Sequence, residues 1–117
     1  MEPIYNRNGR VVAWQNNDVI HDLRGEAVAF LSGSNVVNYR GQHLGVLDRG
    51  FFRDHNGSAV TFIRGAIGGP VPPVPSVPPV PPVPAIAPVR PVPPVPPVPA
   101  VPSLGWSSMD WDRFVSR

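Results

Sequence analysis

The side chains with the clearest capacity for chemistry are three histidines, His21, His43 and His55. Imidazole nitrogens bind metals and carry protons near neutral pH, so a histidine cluster would predict a metal or acid–base site. The chain has a sixteen-residue internal repeat, and the three histidines occupy three different positions in it. Repeat symmetry therefore does not bring them together. We expect each histidine to be a solvent-exposed or half-buried strand residue, with no metal site.

Other catalytic patterns are missing from the sequence. The chain has no Cys, which excludes disulfides, thiolate metal sites and a cysteine nucleophile. The glycine-rich stretch at 65–69 lacks the Lys and the following helix of a phosphate-binding loop. No pair of carboxylates recurs at equivalent strand positions, and the serines lie in turns and in the C-terminal segment. We therefore predict a protein that is not an enzyme and has no cofactor.

The repeat is marked by four glycines, Gly9, Gly25, Gly41 and Gly57. Each glycine has an Asn or Asp three positions before it, an apolar residue five before it, and apolar residues three and five after it. The position four after each glycine is always small. Three before the glycine stand Asn6, Asp22, Asn38 and Asp54, and five before it stand Ile4, Ile20, Val36 and Phe52. Three after it stand Val12, Val28, Leu44 and Val60; four after, in the small column, Ala13, Ala29, Gly45 and Thr61; and five after, in the aromatic column, Trp14, Phe30, Val46 and Phe62.

An Asx residue three positions before a glycine is typical of a type I turn that ends in a left-handed residue. Followed by a strand, such a turn makes a β-hairpin with a glycine bulge. The pattern predicts that the residue five before each glycine pairs with the residue three after it, and shares a face with the residue five after it. We predict an all-β fold, in which four sixteen-residue hairpin repeats form a closed, pseudo-fourfold, up-and-down arrangement. An open eight-stranded meander is the alternative.

The chain resembles the bacterial four-fold beta-flower domain proteins in three features. These are the motif at Tyr5–Gly9, which is repeated four times, the proline-rich stretch, and the terminal pattern from Trp106 to Phe114. The resemblance covers the repeats and, more loosely, the last twelve residues. It implies the same closed hairpin fold. It implies no activity and no catalytic residues.

The chain divides by composition into a repeat domain at 1–69, a Pro/Val-rich linker at 70–104 and a terminal helix at 105–117. Seventeen of the eighteen prolines lie in the linker, where a branched aliphatic residue stands at every third position from Val71 to Leu104. Polyproline II has three residues per turn, so the pattern predicts a rod of about 100 Å with one aliphatic side. This rod is either a spacer or a packing surface. Arg90, Pro93 and Pro96 also fit an SH3-ligand motif weakly.

The C-terminal segment carries the signature of a short amphipathic helix of about nine residues. Ser107 is expected to cap it, and Trp106 and Trp111 to form a hydrophobic staple. Trp111, Phe114 and Val115 would share one face. We predict that a protein partner or a second copy is bound by Trp106, Trp111, Phe114 and Val115, away from the head of their own chain, which is the repeat domain at 1–69. Packing on the chain's own head is the alternative.

Charge and hydropathy limit the remaining classes. The net charge is +2, which gives no basis for nucleic-acid binding. No apolar run is long enough to cross a membrane, and no signal region is visible at the start, so the default location is cytoplasmic, with unconventional export left open. We predict a non-enzymatic interaction or assembly module. The alternative is a β-repeat domain that binds a small ligand or a glycan.

Overall fold

The computed structural model describes residues 1–116 and contains eight strands and one helix. The elements are β1 (Glu2–Asn6), β2 (Val11–Asn16), β3 (Val19–His21), β4 (Ala27–Ser32), β5 (Asn35–Asn38), β6 (His43–Asp48), β7 (Phe51–Arg53), β8 (Ala59–Phe62) and α1 (Trp111–Val115). Each strand pairs antiparallel with the next, and β8 pairs with β1, so the sheet is a closed barrel. The predicted fold class is confirmed. None of the described residues belongs to a helix with the length and apolarity needed to span a bilayer.

The four Asx–Gly turns have the predicted geometry. In the first turn, the amide of Gly9 donates to the carbonyl of Asn6 at 2.9 Å, and the Asn6 side chain accepts from the amides of Asn8 and Arg10. The same set of bonds recurs in the other three turns. The φ angle of Gly9 is 81°, and the other three repeat glycines also have positive φ. These turns set the start of β2, β4, β6 and β8.

The predicted strand register is wrong by one residue. Ile4 pairs with Ala13, and Tyr5 then pairs with Val11, so Val12 is an extra residue in a β-bulge. The same shift occurs in the other three hairpins. A bulge turns the strand, and the position after it changes face. The small residue four positions after each glycine therefore pairs with the residue five positions before it.

This bulge gives the barrel two buried faces where the sequence predicted one. The first cluster contains the column five before each glycine together with Ala13, Ala29, Leu44 and Val60. The second cluster contains Tyr5, Phe51, Ala59 and Phe62, so the aromatic column does not share a face with the first. Val12, Val28 and Val46 are only half-buried, whereas the other predicted core residues are buried.

Residues 70–104 form a belt around the barrel and do not project as a rod. The whole molecule measures 37 × 36 × 21 Å, which is incompatible with a free segment of about 100 Å. The belt passes each hairpin glycine in turn: Val74 lies at Gly9, Val83 at Gly25, Pro91 at Gly41 and Val101 at Gly57. Nine residues of polyproline II span about 28 Å, and four such spans come to about 112 Å, which is close to the circumference of a circle 36 Å across.

Breaks in the proline pattern mark the places where the belt is hydrogen-bonded to the barrel. The amides of Ser76, Ala85 and Ser103 donate to the carbonyls of Gly9, Gly25 and Gly57 at 2.9, 2.9 and 3.0 Å. Proline has no N–H and cannot make this bond. The donors at 76 and 85 are nine residues apart, and the next position in that series is Pro94. The third repeat therefore lacks the bond that the other three make.

The terminal helix packs on its own barrel. It spans five residues, Trp111–Val115, and its N-cap is Asp110, whose side chain accepts from the amide of Arg113. Trp111 and Phe114 are buried in the first cluster. A side chain at Gly45 would collide with the Arg53 carbonyl and would also crowd the Phe114 ring, so glycine lets β7 and the helix pack closely here. The predicted nine-residue helix with a Ser107 cap is wrong. The predicted terminal segment 105–117 also includes Arg117, which lies outside the described residues.

Candidate functional site

A cleft lies between the belt and the third and fourth repeats. Its volume is about 560 Å³. The barrel side is formed by β6 and by the turn that follows β7, and the belt side is formed by residues 97–102. Val46 lies on the barrel side, at the aromatic column of the repeat, where the other three repeats carry Trp14, Phe30 and Phe62. The cleft thus occurs where this column has its smallest side chain.

Two histidines meet at this cleft. Nδ1 of His43 lies 2.9 Å from Nε2 of His55, and the two rings stack with centroids 5.1 Å apart. Nε2 of His43 lies 2.9 Å from Oδ1 of Asn35. Burial, with a smaller contribution from the charge of His55, lowers the pKa of His43. A neutral His43 is therefore favoured, and the pair forms a flat, polar wall.

The three histidines do not all lie apart, and they are not all exposed or half-buried strand residues, since His55 is in a turn and His21 is buried. His43 is on β6 and His55 is in the turn after β7, and these two strands are paired. Pairing of adjacent hairpins brings together residues that occupy different repeat positions. His21 is elsewhere and buried, with Nδ1 2.9 Å from the carbonyl of Gly25. Within residues 1–116, no group of three or more potential metal-ligating side chains is present.

Arg53 at the inner end of the cleft holds both ends of the belt. Its guanidinium donates to the carbonyls of Gly57, Ser103 and Gly68 at 2.6, 2.8 and 2.9 Å. The residue is 1% exposed. Its Nε lies 3.4 Å from Oδ2 of Asp48, and the guanidinium lies over the Phe51 ring at 5.4 Å. Arg53 thus closes the belt into a loop.

The role of Arg53 was not predicted from the sequence. The residue stands four positions before Gly57, and the same column holds Tyr5, His21 and Val37. All four are buried. A single Arg in an otherwise uncharged column next to Phe51 and Phe52 was the available signal.

The predicted partner-binding residues of the tail contact the barrel of their own chain. Trp106 forms a bridge to Ala59 and packs against Phe51 and Phe62. Trp111, which stacks on Phe114 at 5.6 Å, makes an edge contact with Phe52, and Val115 is half-buried beside them. The prediction that these four side chains dock away from the head does not agree with the structure. The cause is the belt, which brings the chain back to the barrel after a full circuit.

The SH3-type motif is also engaged within the chain. Arg90 forms an ion pair with Asp18 at 2.9 Å, and its guanidinium lies 5.0 Å from the centre of the Phe30 ring. Hydrogen bonding with Arg90 lowers the pKa of Asp18. Pro93 and Pro96 are exposed. The Arg90 side chain is 40% exposed, so an SH3 groove would compete with these contacts, and the motif stays a prediction.

Comparison with known proteins agrees with the fourfold architecture. The model of the family described as "4-fold beta flower protein" matches residues 2–115. Neither the curated proteins nor the solved structures gave a significant match. The matched span includes the belt and the terminal helix as well as the hairpins. This chain therefore belongs to the 4-fold beta flower family.

Proposed function

We propose that this protein is a non-enzymatic assembly module that associates with further copies of itself through the outer side of the belt. The observation that carries the proposal is the exposure of an aliphatic ridge. Eleven Val and Ile side chains at every third belt position from 71 to 101 are between 87% and 98% exposed, and Leu104 continues the series at 75%. The half-buried belt residues never fall in this series.

Such a ridge is unusual for a protein that works alone. Soluble monomers seldom expose continuous apolar patches of more than a few hundred Å². Burying a Val side chain contributes about 1.5 kcal/mol or more. The belt already has its contacts to the barrel on the proline side, so the aliphatic side is left for an intermolecular contact.

A second copy is the occupant that the pattern favours. In polyproline II, three residues advance about 9 Å, so the ridge alternates aliphatic knobs and gaps at that spacing. A second ridge with the same spacing can place its knobs in those gaps. Within 70–104 the one charged residue is Arg90, which is paired with Asp18. Two identical ridges therefore meet without charge repulsion.

Sedimentation velocity of the full chain over a range of concentrations tests this proposal. We expect species heavier than the 12.6 kDa monomer as concentration rises. The triple variant Val80→Thr, Ile86→Thr, Val92→Thr keeps the branched shape and removes apolar surface, and we expect it to sediment as a monomer. Leu23→Thr with Ile67→Thr is the matched control, because these side chains are exposed but lie outside the ridge.

The control should associate like the natural chain. A natural chain that stays monomeric at all concentrations, or a triple variant that associates unchanged, would show that the ridge is not an assembly surface.

A further inference from the structure

The cleft has a filled counterpart in the same molecule. Between the second and third repeats, the corresponding space holds Asp18, Phe30 and Tyr39 from the barrel and Arg90 from the belt. Arg90 lies over Phe30, and the Phe30 and Tyr39 rings are 5.3 Å apart. These planar groups together fill the space between belt and barrel.

All four of these groups are replaced by smaller ones one repeat further on. A step of sixteen residues along the barrel and nine along the belt leads to Ser34, Val46, His55 and Pro99. All four line the cleft. The carboxylate, the phenyl ring, the phenol and the guanidinium are thus lost together. The space of about 560 Å³ that remains is within the size range of small-molecule sites.

The charges around the cleft balance without a ligand. The carboxylate of Asp48 is 3.4 Å from both Arg49 and Arg53. Asp54 is occupied, because its Oδ1 accepts from the amides of Asn56 and Ser58 and its Oδ2 from the Ser107 hydroxyl. A charged ligand would therefore add an uncompensated charge, and a neutral ligand is favoured.

Asp48 also offers an acceptor. Both of its ion-pair distances exceed the 2.7–2.9 Å that is usual for close charge-assisted hydrogen bonds. Its Oδ2 has no hydrogen-bond partner and is buried beside Arg53, whereas the side chain as a whole is 30% exposed and lines the cleft. A ligand hydroxyl or N–H can donate to this carboxylate, while a ring occupies the place that Phe30 fills one repeat earlier.

We infer that this cleft is a binding site for a small, neutral aromatic molecule that carries a hydrogen-bond donor. Its ring lies between Val46 and the belt, beside the His43–His55 wall, and its donor points to Asp48. The inference is independent of the proposed self-association, because the variants that test it, at Val46 and His55, lie on the barrel and not in the ridge.

Amide chemical-shift titration of the full chain with phenol and with indole tests the site. We expect saturable shifts at Gly45 and Gly57, which line the cleft. Cyclohexanol is the matched control ligand, since it keeps the hydroxyl and lacks the aromatic ring, and it should bind more weakly. Val46→Phe restores the missing ring and should weaken binding about tenfold or more, equivalent to about 1.4 kcal/mol. Val46→Ala should retain binding.

A second filling variant, His55→Tyr, copies Tyr39 and gives the same test if Val46→Phe does not fold, which the spread of its amide signals would reveal. Absence of saturable shifts with both probes at millimolar concentration overturns the inference. Binding of equal strength by the natural chain and by a folded filling variant also overturns it.

Discussion

The amide of Ser76 donates to the carbonyl of Gly9 at 2.9 Å, and the Ser76 hydroxyl donates to the same oxygen at 2.8 Å. These bonds join the first hairpin turn to a belt residue 67 positions later in the chain. Because Ala85 and Ser103 make the same amide contact to their own glycines, the belt is attached to the barrel at three of its four turns.

Replacing Ala85 by Pro should loosen the belt. The variant loses the N–H that reaches Gly25, so the Gly25 carbonyl keeps only its contact with Nδ1 of His21. Loss of this hydrogen bond should lower the free energy of unfolding by about 1 kcal/mol. Ala87→Pro is the control, because Ala87 makes no such contact with a hairpin glycine. Chemical denaturation of the full chain measures both. Equal stability of the two variants would show that the belt bonds contribute little.

Replacing Arg53 by Met should destabilise the protein strongly. The change leaves the carbonyls of Ser103 and Gly68 without the Arg53 donor, and the Gly57 carbonyl keeps only the Ser103 amide. Asp48 also loses its buried partner, so we expect a loss of about 3–5 kcal/mol. Arg49→Met is the control, since the Arg49 side chain is 53% exposed and its ion pair should contribute less than about 1 kcal/mol. Thermal unfolding compares the two. A small effect of Arg53→Met would contradict its role in closing the belt.

Truncating Phe114 to Ala should unfold the barrel rather than affect only an association surface. The ring is fully buried beside Gly45 and Trp111, and its removal from a core costs about 3–5 kcal/mol. Arg113→Ala, on the exposed side of α1, is the control and should change the melting temperature little. If Phe114→Ala left the melting temperature unchanged, α1 would not be part of the barrel core.

Acid should destabilise the wall of the cleft. The pKa of His43 is lowered in the folded state. Below the ordinary histidine pKa of about 6.5, the unfolded chain therefore binds more protons at this residue than the folded protein does. The contribution to stability is therefore present above that pH and decreases as pH falls from about 6.5 toward the lower pKa of the folded protein. Denaturation at pH 7.5 and pH 5 should show this loss, and His43→Gln should reduce it. The same pH dependence in both proteins would exclude His43 as its source.

The hairpins could be predicted from the sequence because each one is determined locally. The Asn6 side chain and Gly9 form a turn with their immediate neighbours, and the pattern repeats four times. The bulge at Val12 was missed because apolar residues at positions three, four and five after the glycine fit either register. The face of a strand depends on that single choice.

The path of the belt could not be predicted from its periodicity. The three-residue period of polyproline II places Val and Pro on different sides of the segment. The period does not show which of these sides meets the barrel. The signal was in the interruptions: Ser76 and Ala85 stand nine residues apart, where an N–H is needed. The cleft was missed for a related reason, since Val46 counts as apolar like Phe30 and differs from it in size.

The nine-residue spacing of the belt also restricts how its length can change during evolution. Loss or gain of one three-residue Val-Pro-Pro unit would keep every valine on the outer side, but it would move Ser103 three positions away from Gly57. A change of nine residues would carry the belt to the neighbouring turn. Replication slippage in this proline-rich coding sequence is therefore compatible with the fold only when the number of belt residues stays matched to the number of hairpins. The belt behaves as a ruler for its own barrel.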